Sequence, residues 1–164
     1  MIASRGMIVL GVDPGLAGTG WGVIRVGERR MLFLERYGCI DTKPVTALVD
    51  RLKHIYIALT AVIDEFSPDL MAVEELFFMK RSTTVAAVGQ ARGAILLAAA
   101  LKNVPVFEYN PRTVKIALTG YGSADKQQIQ HMVKTVLKLP DIPRPDHAAD
   151  ALAMAICHLH TAKY

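Results

Sequence analysis

The spacing of apolar residues predicts that the first forty residues form strands. An apolar run begins at Met7 and ends at Asp13, where proline and closely spaced glycines follow, and such a run is typical of a strand buried on both faces. Two further strand-like segments, 21–26 and 31–40, are separated by turn-forming residues. Because short connections favour antiparallel pairing, the first three strands should form an antiparallel meander.

From residue 45 onward the apolar residues recur every three or four positions, which predicts helices alternating with strands. The segment 45–66 has this spacing over its whole length and predicts an amphipathic helix. The remaining elements are predicted as strands at 70–74 and 104–109, an Ala-rich helix at 82–103, a short helix from Asn110 to Leu118, a helix capped by Ser123 that runs to about residue 139, and a last helix from Asp146. The alternation predicts an α/β fold with five strands.

Composition and charge limit the class of protein. A chain of 164 residues with 52% hydrophobic residues is long enough to bury one core, so we expect residues 7–164 to form a single domain after a disordered leader at 1–6. The 19 Lys and Arg residues exceed the 15 Asp and Glu residues. A net positive charge suits a polyanionic partner such as nucleic acid, although many basic proteins bind none.

The cysteines and the apolar segments bear on the compartment. Cys39 and Cys157 occur singly, without a CxxC pair or zinc-type spacing, so neither a disulfide framework nor a zinc finger is expected. The N-terminus lacks a signal-peptide pattern, and nowhere do 18 apolar residues follow one another. The sequence therefore predicts a cytoplasmic protein without a membrane partner.

Carboxylates follow two of the predicted core strands. Asp13 ends the first strand and Glu74 ends the fourth, so each acid lies where a buried strand reaches the surface. Glycines after Asp13 would leave the turn without bulky side chains, which would let a phosphate group come close to Asp13: Gly15, Gly18, Gly20 and Gly22. The alternative is an ordinary turn in which Asp13 has only a local role.

The last helix carries polar residues in an otherwise apolar, Ala-rich segment. His147 and Asp150 are three residues apart, and Asp146 and Asp150 are four apart, so Asp150 can share a helix face with either. Acids on a core-facing helix, near the acids that end two strands, would repel one another unless they bind a divalent cation. Oxygen ligands suit Mg²⁺ or Mn²⁺, and four groups could hold two ions about 4 Å apart. Asp146 could instead cap the helix, and His147 could be an ordinary core or surface residue.

Several motifs resemble those of the RuvC family of bacterial Holliday junction resolvases, from about Met7 to the end of the chain. The matching segments are Gly-Val-Asp13-Pro-Gly, Ala-Val-Glu74-Glu, Val88-Gly-Gln-Ala-Arg92-Gly, Pro105-Val-Phe-Glu-Tyr109, Gln130-His-Met-Val and His147-Ala-Ala-Asp150-Ala-Leu-Ala. The resemblance implies an RNase H-like fold, with a five-stranded mixed sheet and helices on both faces. It also implies a homodimeric, structure-selective endonuclease that cuts four-way DNA junctions during recombination and repair, together with a RuvA/RuvB-type branch-migration complex.

The resemblance assigns site residues by motif. Asp13, Glu74 and Asp150 match three acids of the family's catalytic quartet, and His147 falls on the fourth position, where many members have Asp. Imidazole in place of a carboxylate should favour Mn²⁺ relative to Mg²⁺ and reduce activity at acidic pH, and His147→Asp should alter both properties.

Further positions match family residues that act on DNA. Lys115 and Lys126 match lysines that the family needs for activity. Phe77, with Phe78 beside it, matches an aromatic residue that stacks at the junction. Both aromatic residues could instead be core residues. Basic residues in or beside the same loops and helix starts are also candidates for DNA contact: Lys80, Arg81, Arg92 and Arg112.

Two other functions stay open at the level of sequence. The glycine-rich segment after Asp13 also resembles the first phosphate loop of actin-like kinases and ATPases, but this chain has no second loop of that kind. A DNA-binding protein with a decayed nuclease site would be consistent with His147. Metal-dependent DNA cutting separates these alternatives from a resolvase.

Overall fold

A five-stranded mixed sheet forms the centre of the molecule in the computed structural model, which describes residues 5–76 and 83–162. Its strands are β1 (Met7–Asp13), β2 (Gly18–Val26), β3 (Leu32–Asp41), β4 (Leu70–Glu74) and β5 (Val106–Tyr109). Their order across the sheet is β3-β2-β1-β4-β5. The first three strands are antiparallel, whereas β4 lies parallel to both β1 and β5. The predicted five-stranded mixed sheet is thus confirmed.

Helices cover both faces of the sheet, as predicted. On one face lie α1 (Leu48–Phe66) and α2 (Thr83–Leu101), and on the other lie α3 (Pro111–Thr119), α4 (Lys126–Val136) and α5 (Asp146–Thr161). Successive residues of a strand point to opposite faces, so Val9 packs in the core beneath α5 while Leu10 packs in the core beneath α1 and α2. Each apolar strand therefore joins two cores.

Several element boundaries differ from the predicted ones by a few residues. Helix α1 begins at Leu48 rather than at residue 45, and β2 begins at Gly18 rather than at Trp21. Helix α4 is capped by Asp125, not Ser123, because Asp125 and Gln128 form a reciprocal capping box; the helix ends at Val136. The predicted short helix α3 begins at Pro111, where Asn110 caps it because the Asn110 side chain accepts a hydrogen bond from the backbone N–H of Thr113.

Of the four glycines after Asp13, Gly20 and Gly22 make room for a helix, which corrects our interpretation that these two leave space for a phosphate. A Cβ at Gly20 would lie 1.8 Å from the backbone oxygen of His147, and one at Gly22 would lie 2.4 Å from Cδ2 of Leu152. On β1, a Cβ at Gly11 would lie 1.9 Å from the backbone oxygen of Ala151. These glycines let the first half of α5 lie directly on β1 and β2.

Helix α2 has an apolar outer face. Its inward residues, among them Ala91 and Ile95, are buried against the sheet, whereas Leu97 and Leu101 are 52% and 60% exposed. By length and composition alone the segment Thr84–Leu101 could cross a membrane, with a mean hydropathy of 1.5. Only 22% of this segment is buried, where the helix packs on α1 and in the core beneath α1 and α2, and the opposite side is uncovered.

Candidate active site

Asp13 and Glu74 lie side by side at the ends of neighbouring strands. Strands β1 and β4 are parallel, and Val12 pairs with Val73, so the next residue of each strand is an acid at the same edge of the sheet. Both side chains line a cavity of about 250 Å³ together with Asp150 and Lys115. The two strand-end acids therefore meet where the sequence predicted that they would.

The first turn of α5 brings His147 and Asp150 to the same edge. His147 Nδ1 lies 2.8 Å from Asp13 Oδ2, and the His147 side chain is 49% exposed whereas that of Asp13 is 13% exposed. One potential ligand atom from each of Asp13, His147 and Asp150 lies within 4.8 Å of the others. The hydrogen bond to Asp13 raises the pKa of His147 above its ordinary value, despite partial burial.

The carboxylates of the site repel one another. Burial raises the pKa of Glu74 from 4.5 to about 7, and the neighbouring charges of Asp13 and Asp150 add to this effect. Burial and Asp13 also raise the pKa of Asp150, although Lys126 opposes the change. Crowded carboxylates and an imidazole nitrogen at this spacing fit a divalent cation, which would remove the repulsion.

Lys126 lies between two acids of α5. Its Nζ is 3.3 Å from Asp150 Oδ2 and 3.4 Å from Asp146 Oδ2. Partial burial would lower the pKa of Lys126, but the two carboxylates raise it above its ordinary value. Lys126 and Lys115 both line the cavity that holds Asp13 and Glu74, so two cations face the acids.

Asp146 does not cap α5, contrary to one of the two roles that the sequence suggested. Pro145 is the N-cap residue and Asp146 is the first residue of the helix. Its Oδ1 accepts hydrogen bonds from Gln130 Nε2, at 3.1 Å, and from Arg144 Nη1, at 2.5 Å. Asp146 is thus part of a polar network around Lys126 and lies outside the three-residue group of potential ligands.

The remaining candidates for DNA contact fall into two groups. Phe77, Phe78, Lys80 and Arg81 lie outside the described residues. Arg92 is 13% exposed and forms an ion pair with Glu108 at 2.7 Å and a hydrogen bond with the Glu74 carbonyl at 3.3 Å, so it joins α2 to β4 and β5. Arg112 is exposed on α3, where its side chain lies against Gly122. DNA contact by any of these residues stays a prediction.

Sequence reasoning missed Arg51. This residue of α1 lines a cavity of about 520 Å³ together with His147 and the turn between β1 and β2. Its Nε donates to Thr42 Oγ1, which in turn donates to the Leu16 carbonyl. A signal was present, because position 51 falls on the apolar stripe of the predicted helix between Leu48 and Ile55, where a cation is unusual.

Comparisons with known proteins agree with this architecture. The model of a protein family described as "Crossover junction endodeoxyribonuclease RuvC" matches residues 9–158. The RuvC proteins of Endomicrobium trichonymphae and Desulforamulus reducens are 54% and 56% identical to this chain. The first alignment covers 96% of this chain and 83% of the relative, and the second covers 93% of each.

A solved structure extends the similarity to three dimensions. The structure of Thermus thermophilus RuvC in complex with a Holliday junction substrate superposes with a TM-score of 0.88 and 39% identity, and it covers 93% of this chain and 92% of that one. The yeast mitochondrial Holliday junction resolvase Ydc2 shares the fold, with a TM-score of 0.64 and 14% identity. From its sequence, its fold and the position of its acids, this chain belongs to the RuvC family of crossover junction endodeoxyribonucleases.

Proposed function

We propose that this chain resolves four-way (Holliday) DNA junctions by hydrolysing a phosphodiester bond in each of two opposed strands, in recombination and repair. The observation that carries the proposal is the meeting of Asp13, Glu74, His147 and Asp150 at one edge of the sheet in a member of the RuvC family. Residues 7–164 would act as one nuclease domain, in the cytoplasm where bacterial DNA is located.

The ligands of the metal would come from three elements. Asp13 on β1, Glu74 on β4, and His147 and Asp150 on α5 would hold Mg²⁺ or Mn²⁺. Divalent cations supply an activated water and stabilise the leaving oxygen in phosphodiester hydrolysis. His147 would offer one of its two ring nitrogens, and an imidazole ligand favours Mn²⁺ relative to Mg²⁺.

The chain's own cations would hold the DNA. Lys115 and Lys126 lie at the cavity beside the acids, where they can neutralise a phosphate group and the charge that develops on it during cleavage. Arg51 and Arg112 would contact flanking phosphates, and stacking of Phe77 or Phe78 on a base would favour a junction over a regular duplex. Lys80, Arg81 and Arg92 would add to this surface, Arg92 after exchanging part of its ion pair with Glu108.

Two symmetric cuts require two sites, and a homodimer supplies them. The uncovered apolar face of α2, with Leu97 and Leu101 exposed, supports a dimer contact through this helix. A branch-migration complex of the RuvA/RuvB type would deliver the mobile junction.

The test is cleavage of a mobile synthetic four-way junction beside a linear duplex of the same sequence, in Mg²⁺, Mn²⁺ and EDTA. We expect paired nicks in opposed strands of the junction, only with metal, and a loss of at least about 100-fold in Asp13→Asn while junction binding persists. Glu28→Gln removes an exposed carboxylate at the opposite end of the sheet and serves as the control. Binding without cutting in either metal would indicate a decayed nuclease.

A further inference from the structure

Two polar residues beside the site have no part in the reaction proposed above. Gln130 of α4 is 5% exposed, and its amide nitrogen donates to Oδ1 of Asp146. Arg144 donates a second hydrogen bond to the same oxygen. A buried amide and a guanidinium thus fix one oxygen of the Asp146 carboxylate, and the second oxygen faces Lys126 at 3.4 Å.

Lys126 has a second carboxylate at nearly the same distance, since Asp150 Oδ2 lies 3.3 Å from its Nζ. Asp150 belongs to the group of potential metal ligands, so a cation there would compete with Lys126 for the same carboxylate and repel its ammonium group. Lys126 is a long side chain and largely exposed. Without another partner it would move into solvent and leave the cavity.

We propose that Asp146 is a positioning residue that keeps the ammonium group of Lys126 beside the cavity when Asp150 binds the metal ion, and that Gln130 holds Asp146 in place for this role. The inference rests on the proposed function. Asp146 is suited to the task because it lies one helical turn before Asp150, outside the ligand group and within reach of the same Nζ.

The first test is a double-mutant cycle on the rate of single-turnover junction cleavage at saturating Mg²⁺. Asp146→Asn should reduce the rate about fivefold in the chain that has Lys126 and should have no further effect in Lys126→Met, because Asp146 acts through that lysine. Asp146→Glu keeps the charge and should retain most of the rate. An equal loss in both backgrounds, or no loss in either, would overturn the proposal.

The second test measures Mn²⁺ binding to the free protein by calorimetry, which does not depend on cleavage. In Asp146→Asn, Lys126 has only Asp150 as its partner and competes more strongly with the ion. The substitution should therefore weaken Mn²⁺ binding more in the chain with Lys126 than in Lys126→Met. Equal weakening in the two backgrounds would mean that the negative charge of Asp146 attracts the ion directly and does not act through Lys126. That result would contradict a positioning role.

Gln130→Met provides a variant that leaves the Asp146 charge unchanged. It replaces the amide by an apolar group of similar size and should reduce the cleavage rate in the same direction as Asp146→Asn, with no further effect in Lys126→Met. Thermal unfolding of each variant identifies any that fail to fold. A wild type that cuts no junction would contradict the proposed function itself. If the wild type cuts junctions, the results of the variants test only the role of Asp146.

Discussion

Glu74 gives the metal-free protein a stability that decreases as pH rises. Burial first, and then the charges of Asp13 and Asp150, raise its pKa from 4.5 to about 7 in the folded chain. Between these values the unfolded chain has lost the proton and the folded chain retains it, so the free energy of unfolding falls with increasing pH. Above about pH 7 both states are ionised and the loss is constant.

Glu74→Gln should therefore stabilise the protein in EDTA. We expect the free energy of unfolding to rise by about 1–2 kcal/mol at pH 8 and by much less at pH 5, measured by urea denaturation. Glu75→Gln, at the adjacent exposed carboxylate, is the matched control and should have little effect. Excess Mg²⁺ should reduce or reverse the difference, because the wild type then gains the binding free energy of the ion. A variant less stable than the wild type at pH 8 in EDTA would contradict this account.

At the scale of elements, the contact between β2 and α5 determines where two of the four candidate ligands lie. The backbone of His147 lies so close to Gly20 that no other residue fits there without moving the helix. His147 and Asp150 are in the first turns of α5, so a shift of this helix moves both relative to Asp13 and Glu74. The positions of these two candidate ligands therefore depend on a glycine that is not itself a candidate ligand.

Gly20→Ala should lower both stability and activity. A Cβ would lie 1.8 Å from the His147 backbone oxygen, and we expect a loss of about 2–3 kcal/mol in the free energy of unfolding and a large decrease in cleavage. Gly93→Ala is the control: a Cβ at this exposed position of α2 would meet no atom of the described part of the chain within 4 Å, so the helix should gain up to about 1 kcal/mol. Equal effects of the two substitutions would exclude a role for the close approach.

Elements with a strong local pattern could be predicted from the sequence, whereas contacts between distant segments could not. The carboxylates at the ends of β1 and β4 were recognised because each follows an apolar run, and the family resemblance made the two strands neighbours. The cap of α4 was misassigned to Ser123, although Asp125 followed three residues later by Gln128 is the stronger capping signal. The role of Gly20 was missed because a sequence does not tell which distant segment fills the space beside a glycine.

At the scale of the whole molecule, a symmetric double cut depends on a contact that a single chain does not contain. Leu97 and Leu101 are exposed on the outer face of α2, one turn apart, and we propose that they pack against a second copy of the chain. Negative charges at these two positions should therefore dissociate the dimer, and each monomer should keep its own active site unchanged.

The variant Leu97→Glu/Leu101→Glu should be a monomer by light scattering and should nick one strand of a junction without the coordinated second cut. Val45→Glu places a charge at an exposed apolar residue before α1 and should leave the mass of the wild type unchanged. The same mass for all three proteins would show that the dimer, if it forms, uses another surface. Thermal unfolding would verify that the charged variants fold.

The close contact at Gly20 has a consequence for how a resolvase of this kind can evolve. The atoms of residue 147 that lie nearest to Gly20 are its backbone carbonyl and its Cβ, which every residue except glycine possesses. The position of α5 is therefore largely independent of the chemical group that residue 147 carries. Under the proposed ligand role of His147, a substitution by Asp would exchange imidazole for carboxylate, and with it the preferred ion, while the backbone contact at Gly20 stays as it was.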